Sequence, residues 1–64
     1  MEKSEMLWIA SVAIGKGYDY ETLYYSDYMY GKEKETDAVY DYVNECKEIG
    51  TKAFYEKYKE YKLY

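Results

Sequence analysis

Cys46 is the only cysteine of the chain, and there is no histidine beside it. One thiol cannot close an internal disulfide, and it cannot complete a four-ligand zinc site without imidazoles. The fold must therefore stand on packing alone. All 64 residues are expected to form one domain, residues 1–64, and a chain this short buries only about 60% of the surface its unfolded form exposes. Small folds without disulfides or metal turn to oligomerisation, so a homodimer is the expected source of the missing burial. A lone cysteine also suits a reducing compartment. The longest apolar run, residues 6–14, falls well short of the roughly 20 residues of a membrane span. Glu2, Lys3 and Glu5 give a mixed start where a leader would be basic. The chain reads as soluble and cytoplasmic, with no membrane contact.

Residues 6–14 are rich in aromatic and β-branched side chains and run into Gly15, Lys16 and Gly17. This pattern predicts a buried strand followed by a hairpin turn. Residues 18–31 then alternate, with Tyr18, Tyr20, Thr22, Tyr24, Ser26, Tyr28 and Tyr30 on the even positions. Period two with strand-favouring residues predicts a second strand paired to the first. The rival is a short helix over residues 21–30, because Tyr20, Tyr24 and Tyr28 also lie four apart. After a polar connection, Thr36 can cap a helix whose apolar stripe is Val39, Tyr42, Val43, Cys46 and Ile49. Gly50 sits where a helix ends, and Thr51 can cap a second helix with Phe54, Tyr58 and Tyr61 on one face. The expected fold is α+β: a β-hairpin followed by two short helices, with the sheet completed by dimerisation.

The inventory for catalysis is thin. The chain has neither His nor Arg, so the usual general base and the usual phosphate clamp are missing. Gly15 and Gly17 lack the spacing of a phosphate loop and read as turn glycines. Cys46 lies on an apolar stripe, whereas reactive thiols occupy exposed electropositive sites. No enzyme activity, cofactor or metal site is expected.

Charge and tyrosine carry more. Over residues 19–48 nine carboxylates oppose three lysines, a net charge of −6, while residues 52–62 carry four lysines and two glutamates. Asp37, Asp41, Glu45 and Glu48 fall within about 80° of one another on a helix. Like charges at that spacing weaken a helix slightly, so the row is either an ordinary solvated face or a contact surface that copies the phosphate spacing of a nucleic acid. Twelve tyrosines accompany one Trp and one Phe. Tyr42, Tyr58 and Tyr61 belong to the core by helical phase. Tyr18, Tyr20, Tyr24, Tyr28 and Tyr30 serve either core packing or an interface, for which tyrosine is well suited. Base stacking on such a face needs a basic groove, and the acidity of this chain argues against direct nucleic-acid binding.

In size, acidity, tyrosine density and lack of a catalytic set, the chain resembles small phage-encoded inhibitors of bacterial defence, among them anti-CRISPR, anti-restriction and Hachiman anti-defence proteins. The resemblance lies in general character and transfers no individual residue. It implies non-catalytic inhibition of a nucleic-acid-handling defence enzyme in the host cytoplasm, through occlusion of a basic protein surface or mimicry of nucleic acid. The alternative is a small regulatory or assembly subunit that docks through its tyrosine-rich face.

Overall fold

The computed structural model describes residues 1–61 and 63, and its first element is a helix where a strand was expected. Helix α1 spans Lys3–Lys16. An apolar run of nine fits either a buried strand or a helix covered on more than one side, and the second case holds. Ile9, Ala10 and Ala13 join Leu23, Met29, Val39 and Val43 in one buried cluster. Leu7 joins Cys46, Phe54, Tyr58 and Leu63 in another, and Ile14 packs against both. With core on two sides, α1 has no single apolar stripe, so its helical period is hidden in the sequence. Tertiary packing here outweighs the strand preference of its β-branched residues.

The glycines assigned to a hairpin turn end this helix instead. Gly15 and Lys16 are helical, and Gly17 turns left-handed at φ 71°. The Tyr18 N–H donates to Ala13 O at 2.9 Å and the Gly17 N–H to Ile14 O at 3.3 Å, the paired closure typical of a helix ending in glycine.

Residues 18–31 form no strand either. Asp19 accepts a hydrogen bond from the Thr22 N–H at 2.8 Å and caps a short helix, α2, over Tyr20–Tyr24. That bond holds the Asp19 carboxyl below the ordinary aspartate range. Residues 25–31 then turn tightly, with the Met29 and Tyr30 N–H groups both donating to Ser26 O. The side chains sealed in the core are Leu23 and Met29, both on odd positions, while of the even-numbered tyrosines Tyr18 and Tyr28 pack, half-buried, against the outside of that cluster. The helical alternative for this stretch comes nearer, although the helix stops at Tyr24.

Helix α3 spans Glu33–Ile49 and starts before the expected cap. Thr36 is fully buried inside it, and its hydroxyl donates to Lys32 O at 2.8 Å. Glu33 and Glu35 occupy the first turn, where the helix dipole favours negative charge. Val39, Val43 and Cys46 face the core as their spacing predicts, while Ile49 is exposed. Helices α1, α2 and α4 all pack on α3.

Helix α4, Thr51–Lys57, follows directly. Thr51 is its first helical residue and does not cap it; the cap position is Gly50, at φ 94° and ψ 152°. A 3-10 turn over Lys59–Tyr61 comes next. Leu63 is buried beyond it, and the Ser11 hydroxyl oxygen lies 2.7 Å from Leu63 O and from Trp8 O. That contact ties the far end of the chain to α1.

The fold is thus all-α, and the described residues include no strand and no sheet for a second copy to complete. The radius of gyration is 10.7 Å, against about 11 Å for a compact chain of this length. No helix among the described residues is long and apolar enough to cross a membrane.

Candidate functional site: a tyrosine ladder edged with carboxylates

Packing α2 against the first half of α3 lines up aromatic rings from three segments. Tyr40 of α3 meets Tyr20 edge-on at 5.6 Å between ring centroids. Tyr20 lies nearly parallel to Tyr24 at 6.4 Å, one helical turn along α2. Tyr24 meets Tyr25 edge-on at 5.0 Å, and Tyr25 leans towards Tyr30 at 6.3 Å. Such separations and angles are the favourable ones for aromatic pairs. The five rings form one continuous ladder that is most open at its far end, where Tyr25 is 62% and Tyr30 72% exposed.

Carboxylates border it. The Tyr20 hydroxyl donates to Asp37 Oδ1 at 2.5 Å. That bond is the main reason the Tyr20 phenol is pushed up to about 12. Tyr20, Tyr24 and Tyr25, with Glu21 and Glu33, enclose a surface hollow of about 340 Å³. At the opposite end the Lys47 ammonium sits 5.3 Å from the Tyr40 ring centre and donates to its hydroxyl.

A second aromatic group, around α4, provides a comparison within the molecule. Tyr58 packs on Phe54, Tyr42 and Tyr61 and donates its hydroxyl to Glu45 at 2.7 Å. Lys57 is paired with the same carboxylate, and the Lys3 and Lys57 ammonium groups lie over the Tyr58 ring. Tyrosine, carboxylate and lysine are all present there, and the cations come from the chain itself. At the ladder, among the described residues, no lysine lies over the ring of Tyr24, Tyr25 or Tyr30 and none is paired with Glu21 or Glu33.

The residues singled out from sequence divide accordingly. Tyr20, Tyr24, Tyr30 and Asp37 are brought together at the ladder. Glu45 is drawn away to Lys57 and Tyr58, whose hydrogen bonds hold its carboxyl below the ordinary range. Asp41 and Glu48 are exposed, so the row of four acids is half committed to internal partners. Tyr18 packs against the first buried cluster, and Tyr28 stands edge-on to Trp8 at 5.7 Å. Tyr25, Tyr40, Glu21 and Glu33 were missed. The strand reading placed Tyr25 on the opposite face from Tyr24, while Tyr40, three residues after Asp37 on the same helix, was within reach of a phase argument.

Cys46 is buried, with Sγ 4.0 Å from Thr51 Oγ1, and it lines a hollow of about 350 Å³ between the ends of α1 and α3. No group of histidine, cysteine or acidic residues among the described residues is placed to hold a metal ion. Compared with family models, with curated proteins and with solved structures, the chain matches none.

Proposed function

We propose that this is a non-catalytic protein-binding protein, and that it grips its partner by taking a lysine or arginine side chain into the hollow formed by Tyr20, Glu21, Tyr24, Tyr25 and Glu33. The observation that carries this reading is the contrast between the two aromatic groups. Around Tyr58 the rings and carboxylate are matched by the chain's own lysines; at the open end of the ladder the same kinds of group face solvent. A cation over a tyrosine ring gains about 0.5–2 kcal/mol, more as water is excluded. Tyrosine also supplies broad contact area at low entropic cost. In its specific form the partner is a nucleic-acid-handling defence enzyme whose basic surface is occluded, a form supported by the net charge of −6 over residues 19–48. Nucleic-acid mimicry by the four-acid row is less favoured, because Asp37 and Glu45 already have internal partners.

Titration of isotope-labelled protein with short oligolysine and oligoarginine peptides, followed by NMR, tests the reading. The expected shifts centre on Tyr24, Tyr25, Glu21 and Glu33, weaken with added salt, and are lost in Tyr24→Ser/Tyr25→Ser protein that keeps its helical circular dichroism. Shifts confined to Asp41 and Glu48 would instead support mimicry. No response to either peptide rejects cation capture.

A further inference from the structure

We infer that the outward face of α1 is a self-association surface, where two copies pack their first helices antiparallel about a two-fold axis. On α1, exposed Trp8 and Gly15 and half-buried Val12 fall on the arc away from the residues of both buried clusters, with exposed Glu5 near one end and Lys16 at the other. Trp8, the only tryptophan of the chain, is 43% exposed on this face. Its ring is held against Tyr28, so little of its freedom remains to be lost on docking.

Gly15 supplies an independent observation. It is helical, it does not adopt a positive φ, and a Cβ built on it would meet nothing within 4 Å. Nothing inside one chain requires a glycine there, although glycine is a poor helix former. A second backbone or ring approaching closely would require it.

The ends of the face determine the occupant. Glu5 and Lys16 lie eleven residues apart, about 16 Å along the axis. In an antiparallel pair each Glu5 comes level with the partner's Lys16, and the match occurs twice by symmetry. The same register brings Trp8 level with the gap between the partner's Val12 and the partner's Gly15. An isologous interface needs this kind of self-complementarity. Helix α1 holds Lys3, Glu5 and Lys16 and so lies outside the acidic stretch, which lets two copies of net charge −4 approach there. The groove beside it, lined by Lys16, Tyr18, Tyr25, Ser26, Asp27 and Tyr28, widens the surface available to the partner's Trp8. Helix pairing of this kind leaves the core of each chain intact, so the dimer is reversible.

Sedimentation equilibrium from micromolar to millimolar concentration tests the inference. The mass is expected to rise from 7.7 kDa towards twice that value. Trp8→Lys should abolish the rise. Gly15→Gln should weaken association while leaving the thermal midpoint of the dilute protein unchanged or higher. Glu5→Lys and Lys16→Glu should each weaken it by about tenfold or more through like-charge contacts, and the double variant should restore it. A chain that stays monomeric throughout overturns the inference. So does a dimer that survives Trp8→Lys and both charge reversals yet is lost in Tyr24→Ser/Tyr25→Ser, which would assign association to the ladder.

Discussion

A phenol that donates its proton to a carboxylate resists ionisation, because deprotonation would set a phenolate against Asp37. Tyr20 is therefore expected to titrate late, near 12 where the ordinary value is 10.0. Its folded value is raised above its unfolded one, so the stability involved is complete below about pH 10 and drains as the pH climbs towards 12. Spectrophotometric titration should show a late tyrosinate component, and Asp37→Ala should move the Tyr20 part of it back towards the ordinary range. An unchanged titration curve in that variant would mean that the hydrogen bond is not kept in solution. Gly50 answers to a different constraint. A Cβ there would meet no neighbour, but φ 94° with ψ 152° is a region that L side chains rarely enter. Gly50→Ala should cost about 1–3 kcal/mol despite the open space, measured by chemical denaturation. Gly15→Ala, at an equally open but ordinary helical position, should stabilise the isolated chain by about 0.5–1 kcal/mol.

Helices α3 and α4 are joined by side chains as well as by Gly50. Glu45 reaches forward to Lys57 and Tyr58, and each group moves in the direction its partner dictates. The Glu45 carboxyl is lowered, first by the Lys57 hydrogen bond; the Lys57 ammonium is raised, first by Glu45; and the Tyr58 phenol is raised, first by burial. The acid-side contribution is present above the ordinary glutamate value of 4.5 and is lost as the pH falls through the lowered one. Glu45→Gln should therefore lower the thermal midpoint at neutral pH, with the gap to the parent closing in strong acid. A constant gap from neutral to acid would remove the charge from the explanation. These two helices were also the legible part of the sequence. Val39, Val43 and Cys46 repeat at helical spacing above a solvated acidic face, so α3 declares its period. Helix α1 does not, because Leu7 and Ile9 serve different clusters and no polar face survives between them. Asp19 and Gly17 did carry readable signals, a cap and a helix stop, but the alternating tyrosines mimicked strand spacing and masked them. Of the candidate site, Tyr20, Tyr24, Tyr30 and Asp37 were legible as residue types, while their meeting depends on α2 folding back over α3.

In the molecule as a whole, α3 is the common support and two buried clusters flank α1, with Ile14 and Tyr42 packed against both. Because those two residues bridge the clusters, the halves are expected to melt together. The 3-10 turn and Leu63 close the assembly against α1, and the Lys3 ammonium rests 5.7 Å from the Tyr61 ring centre. The opening turn of the first helix and the last described turn are therefore neighbours in space. A consequence follows for connectivity. A short glycine linker running from beyond Leu63 back to Met1 would join the described turn at Lys59–Tyr61 to the start of α1, which lie side by side. A new opening between Gly31 and Lys32, at the exposed turn before α3, would break no helix. Such a circular permutant is expected to keep the helical circular dichroism and one cooperative melting transition, since every buried side chain retains its neighbours. Tyr30 would then lie next to a free end, so the outer rung of the ladder should loosen while Tyr20, still bonded to Asp37, keeps its late titration.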